Sequence, residues 1–299
     1  MTWAKGTGLH NSLPLRLEPQ CQSKCPGSSD IAFWKSLTAI EDDAVLKQHI
    51  LAIQARAYKV APYPCIRILS FARVKISRLA FFEQVQQLPR DRPGAILLDI
   101  GCCFGSDARE IVYGGFPASN IVATDVIPEL WDLGHELYMS TPETFPAHFI
   151  PGDAFNPLHL SAAPPSRVAT DTCLPDLTTL KSLNPLRGHI SIIHASSFLH
   201  LFGEEKQIYL ARALAGLLSP EPGSMIFGVQ AGSPIKGPLS RAFFAEGLEL
   251  QLCHSPESWT ALWDGEVFEQ GTVKVDARLM QYPGIAEEFH LLVWSVTRI

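Results

Sequence analysis

Residues 97–107 read LLDIGCCFGSD, and this stretch restricts the fold more than any other. A short apolar run ends at Asp99 and passes through Gly101 and Gly105 into a segment with helical spacing. Gly101 permits a tight turn, and Gly105 lets the next helix begin close to the strand. The helix N-terminus then points free N–H groups at whatever lies before it. A strand, a glycine turn and a helix in this order belong to an open parallel sheet, where ligands bind outside the carboxyl ends of the strands.

The rest of the chain fits that unit. Strands are expected at 95–100, 121–124, 148–151, 190–195, 224–229, 273–279 and 289–297, and helices at 31–58, 77–88, 106–113, 129–138 and 204–218. Strands alternating with helices give a mainly parallel seven-stranded sheet with helices on both faces, an α/β Rossmann-like fold. The two terminal strands would add an antiparallel edge. The expected organisation is a loose arm at 1–30, rich in Ser, Pro and Gly, a helical cap at 31–92 and the sheet domain at 93–299, with a Pro- and Ser-rich insertion at 160–188.

Composition narrows the class of function. The 299 residues are 46% hydrophobic and 18% charged, with a formal net charge of -6 and no basic run. A nucleic-acid backbone is therefore not the expected partner. No apolar stretch reaches the ~18 residues that span a membrane. The first residues lack the apolar core of a signal peptide, so a cytoplasmic protein is expected. Seven cysteines, an odd number, suggest no disulfide framework, and Cys21 and Cys25 have no second pair at metal-binding spacing, so no metal is expected.

A dinucleotide turn requires G-x-G-x-x-G so that a pyrophosphate can approach the backbone. Here Cys103 holds the middle glycine position and Asp107 sits in the first helical turn. These acids disfavour a diphosphate but suit S-adenosylmethionine, which carries a sulfonium, an ammonium and a carboxylate. "LDIGCCFGSD" resembles motif I, (D/E)-x-G-x-G-x-G, of class I S-adenosylmethionine-dependent methyltransferases. The resemblance implies that Asp99, Gly101, Cys103 and Gly105 line the methionine end of that cofactor. It also implies that Asp125 faces the ribose with Val126 beside the adenine. Asp153 would meet the adenine amino group, with Ala154 and Phe155 by the ring.

"YPCIRILSF" (63–71), "IVATDVIPELWDLGHELY" (121–138), "ISIIHASSFLHLFGEEKQ" (190–207) and "CHSPESWTALW" (253–263) resemble a narrower group, the fungal methyltransferases of terpenoid and meroterpenoid biosynthesis. This resemblance implies a small-molecule substrate, and methylation of a carboxylate to a methyl ester is the leading expectation. C-methylation, or a cyclisation in the same pocket, stays open as an alternative. Pro256 and the 160–188 insertion depart from the group's pattern, as Cys103 departs from motif I.

A carboxylate acceptor is already ionised at neutral pH and needs no base. A phenol or an enol-forming carbon needs one, often a histidine. His200 is the first candidate base and His194 the second. His194 and Ser196 are also placed by the cofactor. His254, Trp259 and Trp263 are expected to form a substrate wall, with Tyr63 and Arg67 contributed by the cap. The sequence leaves open whether the chain pairs as a homodimer.

Overall fold

The computed structural model describes residues 28–168, 173–238, 252–281 and 290–299. The expected arm lies outside them except for residues 28–30, as do 169–172 of the insertion and the first residue of the last expected strand.

Seven strands form one sheet in the order β3-β2-β1-β4-β5-β9-β8. They are β1 (Ile96–Ile100), β2 (Ile121–Thr124), β3 (His148–Phe149), β4 (Ile190–His194), β5 (Met225–Gly232), β8 (Val273–Gln281) and β9 (His290–Arg298). The first five run parallel, and β9 pairs antiparallel with both β5 and β8. Strand order reverses between β1 and β4, and the register there sets Asp99 directly beside His194. A short two-stranded ribbon of β6 (Gly237–Pro238) and β7 (Leu252–Cys253), not foreseen from the sequence, joins the end of β5 through the Gly232–His254 bridge.

Period-two alternation along β1 sorts its side chains between two cores. Ile96, Leu98 and Ile100 face a cluster with α7 (Glu204–Leu217) and α8 (Pro256–Trp263). Leu97 faces the opposite cluster with α4 (Phe82–Asp91), α5 (Ser106–Tyr113) and α6 (Pro128–Leu137). Asp99 shares the Leu97 face.

The cap is a third cluster, formed by α1 (Ser28–Thr38), α2 (Asp43–Val60) and the short α3 (Pro64–Arg67) against α6 and Phe104. Trp34 stacks on Tyr138 with centroids 4.6 Å apart. The single helix expected over 31–58 is in fact two. Ala39 adopts a left-handed φ of 57°, and the Asp42 carboxylate caps α2 by accepting from Ala44 N at 2.8 Å and Val45 N at 2.9 Å. The helix expected at 77–88 begins only at Phe82. The buried Glu110 carboxylate holds the Lys75 and Ser77 N–H groups at 3.0 and 2.7 Å, which keeps that segment out of a regular helix. Among the described residues no helix is long and apolar enough to cross a membrane.

Helix α6 lies directly on the glycine turn. A Cβ at Gly134 would collide with the Phe104 carbonyl oxygen. Alanine is the better helix former by about 1 kcal/mol, but α6 would have to move off a backbone atom, and overpacking of this kind costs about 1–3 kcal/mol. Gly134→Ala is therefore expected to lower the thermal midpoint by several degrees. An unchanged or raised midpoint in calorimetry would show that α6 does not bear on the turn.

Candidate active site

Four strand ends and the cap converge on the carboxyl edge of the sheet. The turn after β1 keeps a glycine-like backbone at alternate positions: φ is 71° at Gly101, 50° at Cys103 and 65° at Gly105. Cys103 thus occupies a left-handed position that costs a side-chain-bearing residue about 1–2 kcal/mol. Its thiol packs with the cap cluster beside Tyr63, Cys65 and Ile127, and burial raises its pKa well above the ordinary range. The departure from motif I is therefore absorbed by the cap.

Asp125, at the end of β2, ties this turn to its own strand. Its Oδ2 accepts from Cys103 N at 2.8 Å and its Oδ1 from Ile127 N at 3.0 Å. Burial raises its pKa, while the N–H groups of Cys103, Ile127 and Val126 act against the rise. Each oxygen has a second lone pair, so the carboxylate can still accept from a diol. Val126 next to it is 52% exposed, an open apolar surface. After β3, Asp153 is exposed and its Oδ1 accepts from Phe155 N at 2.9 Å, closing a turn. Ala154 and Phe155 pack onto the core, where the Phe155 ring meets Phe202 edge-on at 4.8 Å.

The interior of the site is the pair formed across β1 and β4. His194 Nδ1 lies 2.8 Å from Asp99 Oδ1 and Nε2 lies 2.7 Å from Ser196 Oγ, with Asp107 Oδ2 3.8 Å away. Asp99 is 1% exposed and His194 2%. Burial would lower the His194 pKa, but the Asp99 carboxylate, with Asp107 behind it, holds it above the ordinary 6.5. The second Asp99 oxygen, Oδ2, accepts no hydrogen bond of normal geometry.

The acids Asp99, Asp107 and Asp125 thus surround the turn, with Asp99 sealed beneath it and its charge carried outward through His194. These acceptors and negative charges fit a cationic ligand with an ammonium and a ribose, and they do not fit a diphosphate. S-adenosylmethionine meets this description.

Other expected residues stand differently. His200 Nδ1 accepts from Ala231 N at 2.8 Å, which ties the turn after β4 to β5. Burial pushes its pKa down to about 4. The lone pair a base would use is already taken, so His200 is a structural residue and not a ready base. Trp259 and Trp263 are 0% exposed and pack with Trp294 at centroid distances of 4.9 and 5.9 Å. They are core residues and form no substrate wall, because α8 turns its apolar face onto β8 and β9. His254 is also buried, with Nδ1 3.0 Å from Ser258 Oγ, and burial pushes it down to about 4. Tyr63, by contrast, stands at the turn. Burial, reinforced by the negative charge of Asp125 and the thiol groups of Cys103 and Cys65, pushes its hydroxyl up to about 12. Arg67, on α3, is exposed.

The structure adds residues that sequence reasoning did not select. Arg109 is buried, donates from Nη1 to Phe104 O at 2.9 Å, and lies over the Phe145 and Tyr138 rings at 4.1 and 4.8 Å. Burial lowers its pKa to about 10. Its place four residues after Gly105, on a helix whose side chains tilt back toward the N-terminus, was the available signal. Lys75 is half-buried and its charge acts on Cys65, Cys103 and His194. Nothing in its sequence context pointed to this position.

Comparison with known proteins follows the same lines. Residues 21–72 match the family described as the meroterpenoid methyltransferase N-terminal domain. The chain is 31% identical over 258 residues to the O-methyltransferase atr3 of Stereocaulon alpinum, covering 86% of this chain and 67% of that protein. It is 31% identical over 232 residues to the methyltransferase adrK of Penicillium roqueforti, covering 77% and 73%. A crystal structure of an S-adenosylmethionine-dependent methyltransferase from Mesorhizobium loti superposes with a TM-score of 0.47 at 14% identity, covering 75% of this chain and all of that one.

The two low histidine pKa values carry a pH signature. Unfolding restores His200 and His254 from about 4 to an ordinary 6.5. As pH falls through that window the unfolded chain takes up protons first. The folded state then loses on the order of 3 kcal/mol per ring. His194 has the opposite sign: what its raised pKa contributes is present below 6.5 and lost as pH rises through the folded value. Unfolding free energies at about pH 7 and about pH 5 are expected to show the acid loss, and His200→Asn, which keeps an acceptor for Ala231 N, is expected to reduce it. An equal acid loss in that variant would remove His200 from the account.

Proposed function

The chain belongs to the fungal S-adenosylmethionine-dependent methyltransferases that these relatives represent, and from that premise we propose that it converts a carboxylate on a small terpenoid-type metabolite to its methyl ester. The observation that carries the choice of acceptor is the state of the histidines. His194 has both ring nitrogens engaged, His200 accepts a backbone N–H, and His254 lies buried against Ser258. His254 keeps an unpartnered Nε2, but that atom is sealed from solvent, so none of the three presents a lone pair to a neutral acceptor, whereas a carboxylate arrives ionised.

The cofactor brings an activated methyl group, so the protein's work is to bind, align and exclude water. In this reading Gly101, Cys103 and Gly105 shape the turn around the amino-acid end. Asp125 accepts from the ribose, and Val126 with the Asp153–Phe155 turn borders the adenine. Tyr63 and the part of the cap formed by α1 to α3 close over the turn, while α4 packs on the sheet. Leu201 after β4 and Ile235 after β5 are exposed apolar side chains, 42% and 80%, near the same edge. They suit an apolar skeleton.

Two measurements test this reading. Calorimetry is expected to show S-adenosylhomocysteine binding that Asp125→Ala weakens about tenfold or more, at least about 1.4 kcal/mol. Equal affinity would remove Asp125 from the cofactor site. Incubation with methyl-labelled cofactor and terpenoid carboxylic acids, with the corresponding alcohols and phenols alongside, is expected to give label released by mild alkali, as an ester requires. Alkali-stable product would mean an ether or a new carbon–carbon bond.

A further inference from the structure

The Asp99–His194 pair continues to a third group. Ser196 Oγ lies 2.7 Å from His194 Nε2 and also accepts from Val229 N at 3.0 Å. Asp99 and His194 are closed off, while Ser196, just past the end of β4, is only half-buried. Nδ1–H is committed to Asp99, so two proton arrangements fit. With a charged imidazolium, Nε2–H and Val229 N–H both donate to Oγ. Its two lone pairs are then filled and its proton turns outward, presenting a donor. With a neutral imidazole, Nε2 is a lone pair and receives the Ser196 proton. The hydroxyl then presents only oxygen.

The same step changes the local charge by one. The other charged groups facing His194 are Asp107 on α5 and Lys75 in the segment before α4. From β5 comes the Phe227 ring, 5.1 Å away and without charge. Asp99 is in turn within electrostatic reach of Cys102 and Asp125. Losing the imidazolium proton makes these acidic surroundings more negative by one charge and leaves Ser196 as an acceptor.

We propose that Asp99, His194 and Ser196 form a proton-operated selector that distinguishes S-adenosylmethionine from S-adenosylhomocysteine. The inference rests on the cofactor site described above and goes beyond it. The two ligands share an adenosine, an ammonium and a carboxylate, and these contributions cancel in a ratio of affinities. They differ at sulfur, which is a cationic sulfonium in one and a neutral thioether in the other. The neutral imidazole state, more negative and presenting oxygen, favours the sulfonium. The imidazolium state narrows the difference and retains the spent cofactor. Ser196 touches the ligand side, and His194 and Asp99 are positioning residues that act through it.

Calorimetric titration of the full chain with each ligand, from about pH 6 to about pH 8.5, tests this. The ratio of S-adenosylmethionine to S-adenosylhomocysteine affinity is expected to rise about fivefold or more across the His194 titration. His194→Gln is expected to flatten the profile. Ser196→Ala, which leaves the buried pair intact, is expected to keep a reduced slope from charge alone. A pH-independent ratio in the wild-type protein, with both ligands binding, would overturn the selector and leave the cofactor site standing. Absence of binding by either ligand at every pH would overturn the cofactor site, and the selector with it. Because the decisive ratio is measured on the wild-type chain, the test does not depend on the variants folding.

Discussion

A carboxylate and an imidazole, both sealed from water, meet where the strand order reverses, and the organisation of the site depends on that contact. Asp99 and His194 are register partners on adjacent parallel strands, so their side chains rise on the same face. A slip of one residue would set Asp99 beside Ile193 or Ala195 and move the imidazole to the other face. The unpaired carboxylate would then be buried without compensation, at a cost of several kcal/mol. Such a pair adds little net stability when correctly made, and its main effect is to penalise alternative registers. Once it is in place, Ser196 and the turn after β4 follow, with His200 tying that turn to β5.

A second set of contacts holds the turn after β1 from outside. Arg109 binds the Phe104 carbonyl from beneath, Asp125 binds the Cys103 N–H from the side, and α6 presses on Phe104 through Gly134. The Arg109 and Gly134 contacts come from outside the ligand side, and each Asp125 oxygen keeps a second lone pair for a ligand. The turn is therefore preorganised by its surroundings, and binding does not have to supply the energy of ordering it. The cap is built onto the same support: the Trp34–Tyr138 stack joins α1 to the end of α6, and the Cys103 thiol reaches into the cap cluster.

Much of this was legible in the sequence, for particular reasons. Strands β1, β2 and β4 are apolar runs that end in polar residues at the sheet's carboxyl edge, and period and punctuation locate them within a residue or two. Asp125 was legible for the same reason. What was not legible depends on orientation. Trp259 and Trp263 lie one helical turn apart, and that spacing is the same whether the face meets a ligand or a core; only the packing of α8 on β8 and β9 decides it. His200 looked free because the backbone N–H of Ala231, 31 residues away, is invisible in the chain. The break at Ala39 was hidden because apolar spacing continues across it, although Asp42 is the residue type that caps a new helix. Cys103 stood out as an anomaly, but its resolution required knowing that the cap comes down over it.

The tryptophan cluster has an optical consequence. Trp259, Trp263 and Trp294 have indole N–H groups without an acceptor and no contact with solvent, so they emit from an apolar, unrelaxed environment. All three belong to the core opposite the Asp99 face of the sheet. Trp131 belongs to the other population: its ring stands against Gly105, beneath the Arg109 guanidinium. The core trio and Trp131 therefore sit in different surroundings, and Trp34 in the cap forms a third, so indole emission would report on core, turn and cap separately.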